Sequence, residues 1–456
     1  MKIIRRLRTR EYLPFTLILC VNVAFLALAF AVDSPRGIFA GFLRIIQSRS
    51  ILVTDYIAIG GMGAALLNVS VVGISTVFML LRLGQKPTGA NVMAVFLSIG
   101  FAFFGKNVFN MIPLTFGVWL FSKYVKSPFS DFYLSALLVA TVSPTISEIA
   151  FLGMFSRFAE MFFGILLGFL VGFIFPAISA ESVRLHSGFN LYNMGVAGGI
   201  VATILAVVLK SMGIDVIPAD FWSSGNNFFL ACLLYSIAAV MLIAGLFSGT
   251  GGGGIGARMK NSLSAYGKIH SHHGRLVTDF YLMYGGSIFI NMAALCIFAT
   301  TLVLVLGADL SGPVVAGILT MTGFGSLGKH LGNVVPIVAG AVLSAFVNTW
   351  DPSAGLNIVP ILFSSGLAPL AGMFGWGWGV IAGFLHVNVA NYIGDLNGGL
   401  NLYNNGFAAV FVVMFLLPVI SIFHKEAATA EITPRGFPRG LIEKIRKARR
   451  KRRSGR

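Results

Sequence analysis

Charge is scarce in this chain: 11% of its 456 residues are Asp, Glu, Lys or Arg, against about 25% in a soluble domain. So little charge cannot solvate a water-soluble fold of this size, and the chain reads as an integral membrane protein. Cysteine is scarce as well. Cys20, Cys232 and Cys296 sit singly inside apolar runs, which speaks against a disulfide framework or a metal knuckle. Neither H-E-x-x-H nor C-x-x-C occurs, so no metal and no cofactor is expected. His270, His272 and His273 lie among Lys and Arg and read as part of a solvated linker.

Apolar sequence is abundant. Hydrophobic residues make up 56% of the chain, and the mean hydropathy is +0.86. Apolar segments near the spanning length of about 17–25 residues recur from 13–32 to 398–423, roughly 12–14 in all. They predict an all-α transmembrane helical bundle. The net charge of +17 is concentrated at the ends, with +4 in residues 1–11 and +9 in residues 425–456. Beside a membrane domain, such ends mark cytoplasmic segments held near anionic lipid rather than a nucleic-acid site. Residues 425–456 are expected to form a disordered tail. Ala29-Phe30-Ala31 looks like a cleavage site, but Leu13–Val32 exceeds a usual signal core, so a retained first helix is expected.

The two halves of the chain repeat one another. V-T-D-Y at 53–56 returns as V-T-D-F at 277–280, and GFAFFGKNVFNMIP at 100–113 as GFGSLGKHLGNVVP at 323–336. GILLGFLVGF at 164–173 returns as GWGWGVIAGF at 375–384, and GFNLYNMG at 188–195 as GLNLYNNG at 399–406. Four blocks in one order indicate internal duplication. The repeats are stepped by an odd number of apolar segments, so the second copy is expected upside down, an arrangement typical of secondary transporters. The expected organisation is a basic segment and first helix (1–52), a first repeat plus connecting helix (53–247), a Gly/His-rich cytoplasmic linker (248–276), a second, inverted repeat (277–424) and the tail.

The stretch GFGSLGKH at 323–330 nearly spells a phosphate-binding loop. Its counterpart at 100–107 removes that reading, because Gly325 becomes Ala102 and neither copy has Ser or Thr after the Lys. Ser326 and Lys329 also fit S-x-x-K, but Phe103 replaces the serine in the first copy. What both copies keep is G-F-x-x-x-G-K-x-x-x-N-x-x-P. Gly105 and Gly328 can end a helix, Asn110 and Asn333 can cap the next, and Pro113 and Pro336 suit a first turn. A helix break that carries Lys106 or Lys329 joins a full charge to the positive end of a helix, which suits an anion.

The second shared motif, G-x-N-L-Y-N-x-G, sets Asn190 and Asn193, like Asn401 and Asn404, three residues apart beside Tyr192 and Tyr403. Their amides are candidates for orienting a polar solute. Asp55 and Asp279, in V-T-D, read first as helix caps and second as coupling-ion residues. The Gly164/Gly168/Gly172 and Gly375/Gly379/Gly383 rows read as packing surfaces.

The G-x-N-L-Y-N-x-G and G-F-x-x-x-G-K blocks resemble a bacterial family of multi-pass membrane proteins, domain-of-unknown-function family 1576, over residues about 50 to 424. The resemblance implies a membrane domain and supplies no substrate or reaction. The L-Y-N block also resembles the G-Y-N segments of urea transporters, but there it opens each repeat and here it closes it, so that function is not carried over. The expectation is a secondary transporter or channel-like permease for a small polar solute, anions included, not an enzyme, in a bacterial inner membrane with both termini cytoplasmic. Homo-oligomerisation stays open. The alternative is a membrane-embedded enzyme or lipid translocase acting on a lipid-linked substrate.

Overall fold

The computed structural model describes residues 6–249, 254–276 and 278–424. The basic tail 425–456 and residues 250–253 of the expected linker lie outside the described residues. The protein is an all-α integral membrane protein, with no strand among the described residues. Its labelled helices are α1 (Leu13–Val32), α2 (Pro35–Ile46), α3 (Met62–Arg82), α4 (Gly89–Phe101), α5 (Val108–Tyr124), α6 (Arg157–His186) and α7 (Asn193–Ser211). They continue as α8 (Asn227–Leu246), α9 (Ile255–Ile269), α10 (Ile288–Val305), α11 (Gly312–Gly323), α12 (Leu331–Val347), α13 (Trp376–Ile393) and α14 (Asn404–Phe423). Eight helical spans among the described residues are long and apolar enough to cross a membrane. A ninth follows if Tyr133–Val142 and Pro144–Ala150, bent by 50°, count as one.

At the centre lie α4 and α11, two short helices. Every residue of α11 is buried, and so is nearly all of α4. Apolar on all sides, such helices are stable only inside a bundle. They run antiparallel and make reciprocal contacts. A β-carbon added at Gly100 would lie 3.2 Å from Ala316 Cα, and one added at Gly323 would lie 2.6 Å from Phe96 Cβ. At their ends, Gly89 faces the Ser326 carbonyl and Gly312 faces the Phe103 carbonyl, again too close for a side chain.

The two V-T-D aspartates cap across this pair. Asp55 accepts from the Ile57 amide of its own turn at 2.9 Å and from the Gly312 amide of α11 at 3.1 Å. Asp279 accepts from the Leu282 amide at 3.0 Å and from the Gly89 amide of α4 at 2.9 Å. The cap expected from sequence is therefore present, and each aspartate also satisfies the start of a helix in the other half. In a bilayer an orphan N–H costs several kcal/mol, so these crossed caps hold the centre together.

The glycine rows pack except at Gly375, which has open space around it and turns the chain at φ 93°. A β-carbon at Gly172 would lie 2.1 Å from the Leu114 carbonyl oxygen of α5, and one at Gly383 would lie 1.8 Å from the Ile337 carbonyl oxygen of α12. Backbones thus approach as closely as small residues permit. The N-termini of α7 and α14 meet where Gly195 and Gly406 touch. Two features differ from the sequence reading. The expected linker holds helix α9, and Ile269 at its end is buried. The following residues are docked as well: the Leu276 amide donates to the Gly188 carbonyl at 2.9 Å, matched by Leu52 to Gly399 at 2.9 Å. Polar composition hid a helix that packs on its chain neighbours α8 and α10.

Candidate functional site

The site begins with two helix breaks. After α4 the chain turns through Gly105 (φ 75°), and after α11 through Gly328 (φ 90°). Both are left-handed conformations that glycine adopts without strain. Freed carbonyls at each break are bound by a buried asparagine on a neighbouring helix. Asn68 of α3 donates to the carbonyls of Ala102 (2.7 Å) and Lys106 (2.9 Å). Asn291 of α10 donates to those of Gly325 (2.8 Å) and Lys329 (2.7 Å). Neither residue was picked out from the sequence. Their separation, 223, is that of the lysine motif itself, which is the signal that would have found them.

Asn110 and Asn333 sit one turn inside the new helices rather than at the cap. Asn107 and His330 occupy the N-cap positions, and their amides donate to the Asn110 and Asn333 side chains, each at 2.9 Å. Both asparagines also donate back to Gly105 and Gly328 at 2.9 Å. Pro113 and Pro336 consequently lie inside α5 and α12, not in the first turn. The expected caps thus lock the break instead of starting the helix.

α4, with 13 residues, is about 20 Å long. The breaks lie at opposite ends of the antiparallel pair, each roughly 10 Å from its middle. Neither lysine snorkels outward. Lys106 and Lys329 are 2% and 0% exposed. Lys106 Nζ donates to Ser98 Oγ at 3.1 Å. Lys329 Nζ donates to Ser365 Oγ at 2.8 Å and to the Tyr192 hydroxyl, and lies 4.5 Å from the Tyr192 ring centroid. Among the described residues neither lysine is within ion-pair distance of a carboxylate. A lysine in such surroundings is costly unless it has a task.

Tyr192 and Tyr403 meet between the breaks, ring centroids 4.6 Å apart. Phe324 and Phe101, from the two breaks, pack on them at 5.1 and 5.3 Å. The motif asparagines build this junction. Asn190 and Asn401 precede α7 and α14 rather than sharing a helix face with Asn193 and Asn404. Asn190 donates to the Gly406 carbonyl at 2.8 Å and Asn401 to the Gly195 carbonyl at 3.1 Å. Asn193 is bound to His186 and Ser179, and Asn404 to Asn397. With their amides so engaged, these four are scaffold around the lysines. Ser326 donates to the carbonyls of Gly89 and Gly323, both at 2.7 Å, and is not hydrogen-bonded to Lys329. The S-x-x-K pair, already disfavoured by Phe103 in the first copy, is not formed.

The sequence profile of one family matches residues 34–211 and 258–422. The chain belongs to that family, described as "Protein of unknown function (DUF1576)". The matched stretches contain both lysine breaks and both tyrosine junctions, and leave α8 between them. No curated protein and no solved structure matches the chain.

One half-buried ion pair escaped the sequence reading. Arg49 Nε donates to Glu148 Oε2 at 2.7 Å, and the Glu148 side chain is fully buried. It closes the segment 46–52 over the first break, where the Asn107 side chain also donates to the Tyr56 hydroxyl at 3.1 Å. Over the second break the corresponding cover is histidine-rich: His330 Nε2 lies 2.8 Å from the His272 carbonyl oxygen.

Proposed function

We propose that this protein is a secondary transporter or channel-like permease for a small anionic solute, built from two repeats of opposite membrane orientation. Lys106 and Lys329 act as the anion ligands. The observation that carries this reading is the pair of buried lysines in equivalent helix breaks, at opposite ends of one antiparallel helix pair. Irregular backbone at membrane depth is tolerated where it serves a cavity or a permeation route, and broken helices at a repeat interface are the usual ligand sites of secondary transporters. Basic ends favour a cytoplasmic location for both termini in a bacterial inner membrane.

The test is uptake of small inorganic and organic anions into proteoliposomes. Lys329→Gln should lower uptake by about 100-fold, since a lost charge-assisted contact is worth roughly 1.5–3 kcal/mol. Lys329→Arg should retain more, because the charge survives in a bulkier fork. Normal transport by the Lys106→Gln/Lys329→Gln double variant ends the proposal. Inverted orientation is tested separately by cysteine-accessibility labelling near Lys268, which should be reached from the cytoplasm only.

A second reading, a membrane-embedded enzyme, draws on one cluster. Ser365 Oγ lies 2.8 Å from Lys329 Nζ and 3.2 Å from the Tyr192 hydroxyl, a serine beside a base. Under that reading Ser365→Ala abolishes activity, whereas under the permease reading it weakens uptake only a fewfold.

A further inference from the structure

Lys106 differs from Lys329 in having a way out. It borders a cavity of ≈ 410 Å³ between α3 and α5, backed by Leu137 and Ala140. The outer rim is apolar and exposed, with Ile112 at 60% and Phe116 at 42%. Both residues project from α5 on the side opposite its buried Pro113, Leu114, Gly117 and Val118. In a membrane protein that side meets acyl chains, so the cavity opens sideways into the bilayer.

Its polar content is small. The hydroxyls of Ser75 and Thr76 donate to the Val72 carbonyl, both at 2.8 Å, and Thr115 donates to the Met111 carbonyl at 3.0 Å. These donors are satisfied within the protein. Lys106 is the only charged side chain on the wall. A small hydrated anion approaching Lys106 through this apolar cavity would shed its water among methyl, thioether and ring surfaces, a cost that an anion carrying its own apolar chain avoids. A molecule with an anionic head and one apolar chain fits both ends: the head meets Lys106, and the chain lies along the apolar wall to the rim.

We propose that this cavity is a lateral binding site for an anionic single-chain amphiphile, a long-chain carboxylate taken from the bilayer, with Lys106 holding the head. The proposal rests on the permease reading only in treating Lys106 as an anion ligand.

The experiment is photolabelling of the full-length protein in phosphatidylcholine nanodiscs with diazirine-bearing palmitate, followed by peptide mapping. Label is expected on α5 and α3. Oleate should compete, while oleyl alcohol (the chain without the charge) and acetate (the charge without the chain) should compete at least about tenfold less well. Lys106→Gln should reduce labelling about tenfold, and Lys106→Arg should restore much of it. Lys329→Gln should leave labelling within about twofold, and Ser75→Phe, which fills the cavity with the lysine intact, should reduce it about tenfold. Equal competition by oleyl alcohol, or labelling indifferent to Lys106→Gln, would overturn the proposal. Effective competition by acetate would overturn it too, since the chain would then contribute nothing. Uptake is read separately: small-anion transport without amphiphile labelling sinks this site alone, and labelling without transport sinks the permease reading alone.

Discussion

The two lysine breaks share one backbone and differ in what the ammonium group holds. At the second break Lys329 reaches Tyr192 and Ser365. At the first, Lys106 turns to Ser98, and the Tyr403 hydroxyl is buried without a hydrogen-bond partner among the described residues. The cause can be read from register. The Leu191 amide donates to Gly366 O at 3.0 Å and the Leu402 amide to Thr141 O at 2.8 Å, so Gly366 corresponds to Thr141. One residue earlier, Ser365 then corresponds to Ala140. The first break lacks the serine that would help draw its lysine to the tyrosine. The backbone scaffold is present in duplicate, while the side chains around the two ammonium groups differ.

The largest effects should show that the scaffolds are equal. Asn68→Leu and Asn291→Leu each orphan two buried carbonyls and should cost about 2–3 kcal/mol apiece, measured by thermal unfolding in detergent. A marked difference between them would break the equivalence of the breaks. Next in size comes the tyrosine pair. Tyr192→Phe removes a partner of Lys329 and should destabilise by about 1–2 kcal/mol, whereas Tyr403→Phe removes an unpaired hydroxyl and should stay within about 0.5 kcal/mol of the parent. Equal losses would mean that Lys106 does engage Tyr403. The smallest effect, and the sharpest, is Ala140→Ser. It restores the missing hydroxyl, should change stability by a few tenths of a kcal/mol, and should lower palmitate photolabelling about threefold by drawing Lys106 inward.

Much of this was legible in the sequence because it depends on composition and recurrence. Low charge and long apolar runs gave the membrane fold, and the recurring G-F-x-x-x-G-K block located both breaks. The glycine rows, apart from Gly375, were read correctly for the same reason: close packing needs only small residues at fixed spacing. What stayed hidden depends on distance in the chain. Asn110 was placed at the cap because N-cap preference is local, yet Asn107 takes that position and Asn110 answers it. Asn193 and Asn404 looked like ligand amides, since nothing in the sequence says that His186 and Asn397 already face them. Ser98 and the adjacent serines Ser364 and Ser365 lie in apolar stretches without a motif. Arg49 and Glu148 are 99 residues apart, and only the folded chain brings them together.

The crossed aspartate caps bear on how the protein is made. Gly89 at the head of α4 waits for Asp279, 190 residues later, whereas Asp55 already has Ile57 and Ser223 of the first half as donors before Gly312 is made. At a synthesis rate of about 5–20 residues per second, the start of α4 spends roughly 10–40 s without its aspartate cap. During that interval the insertion machinery or bound water must shelter it. A ribosome that stalled between the halves would leave a fragment unable to close its own centre, an open product that membrane quality control can recognise.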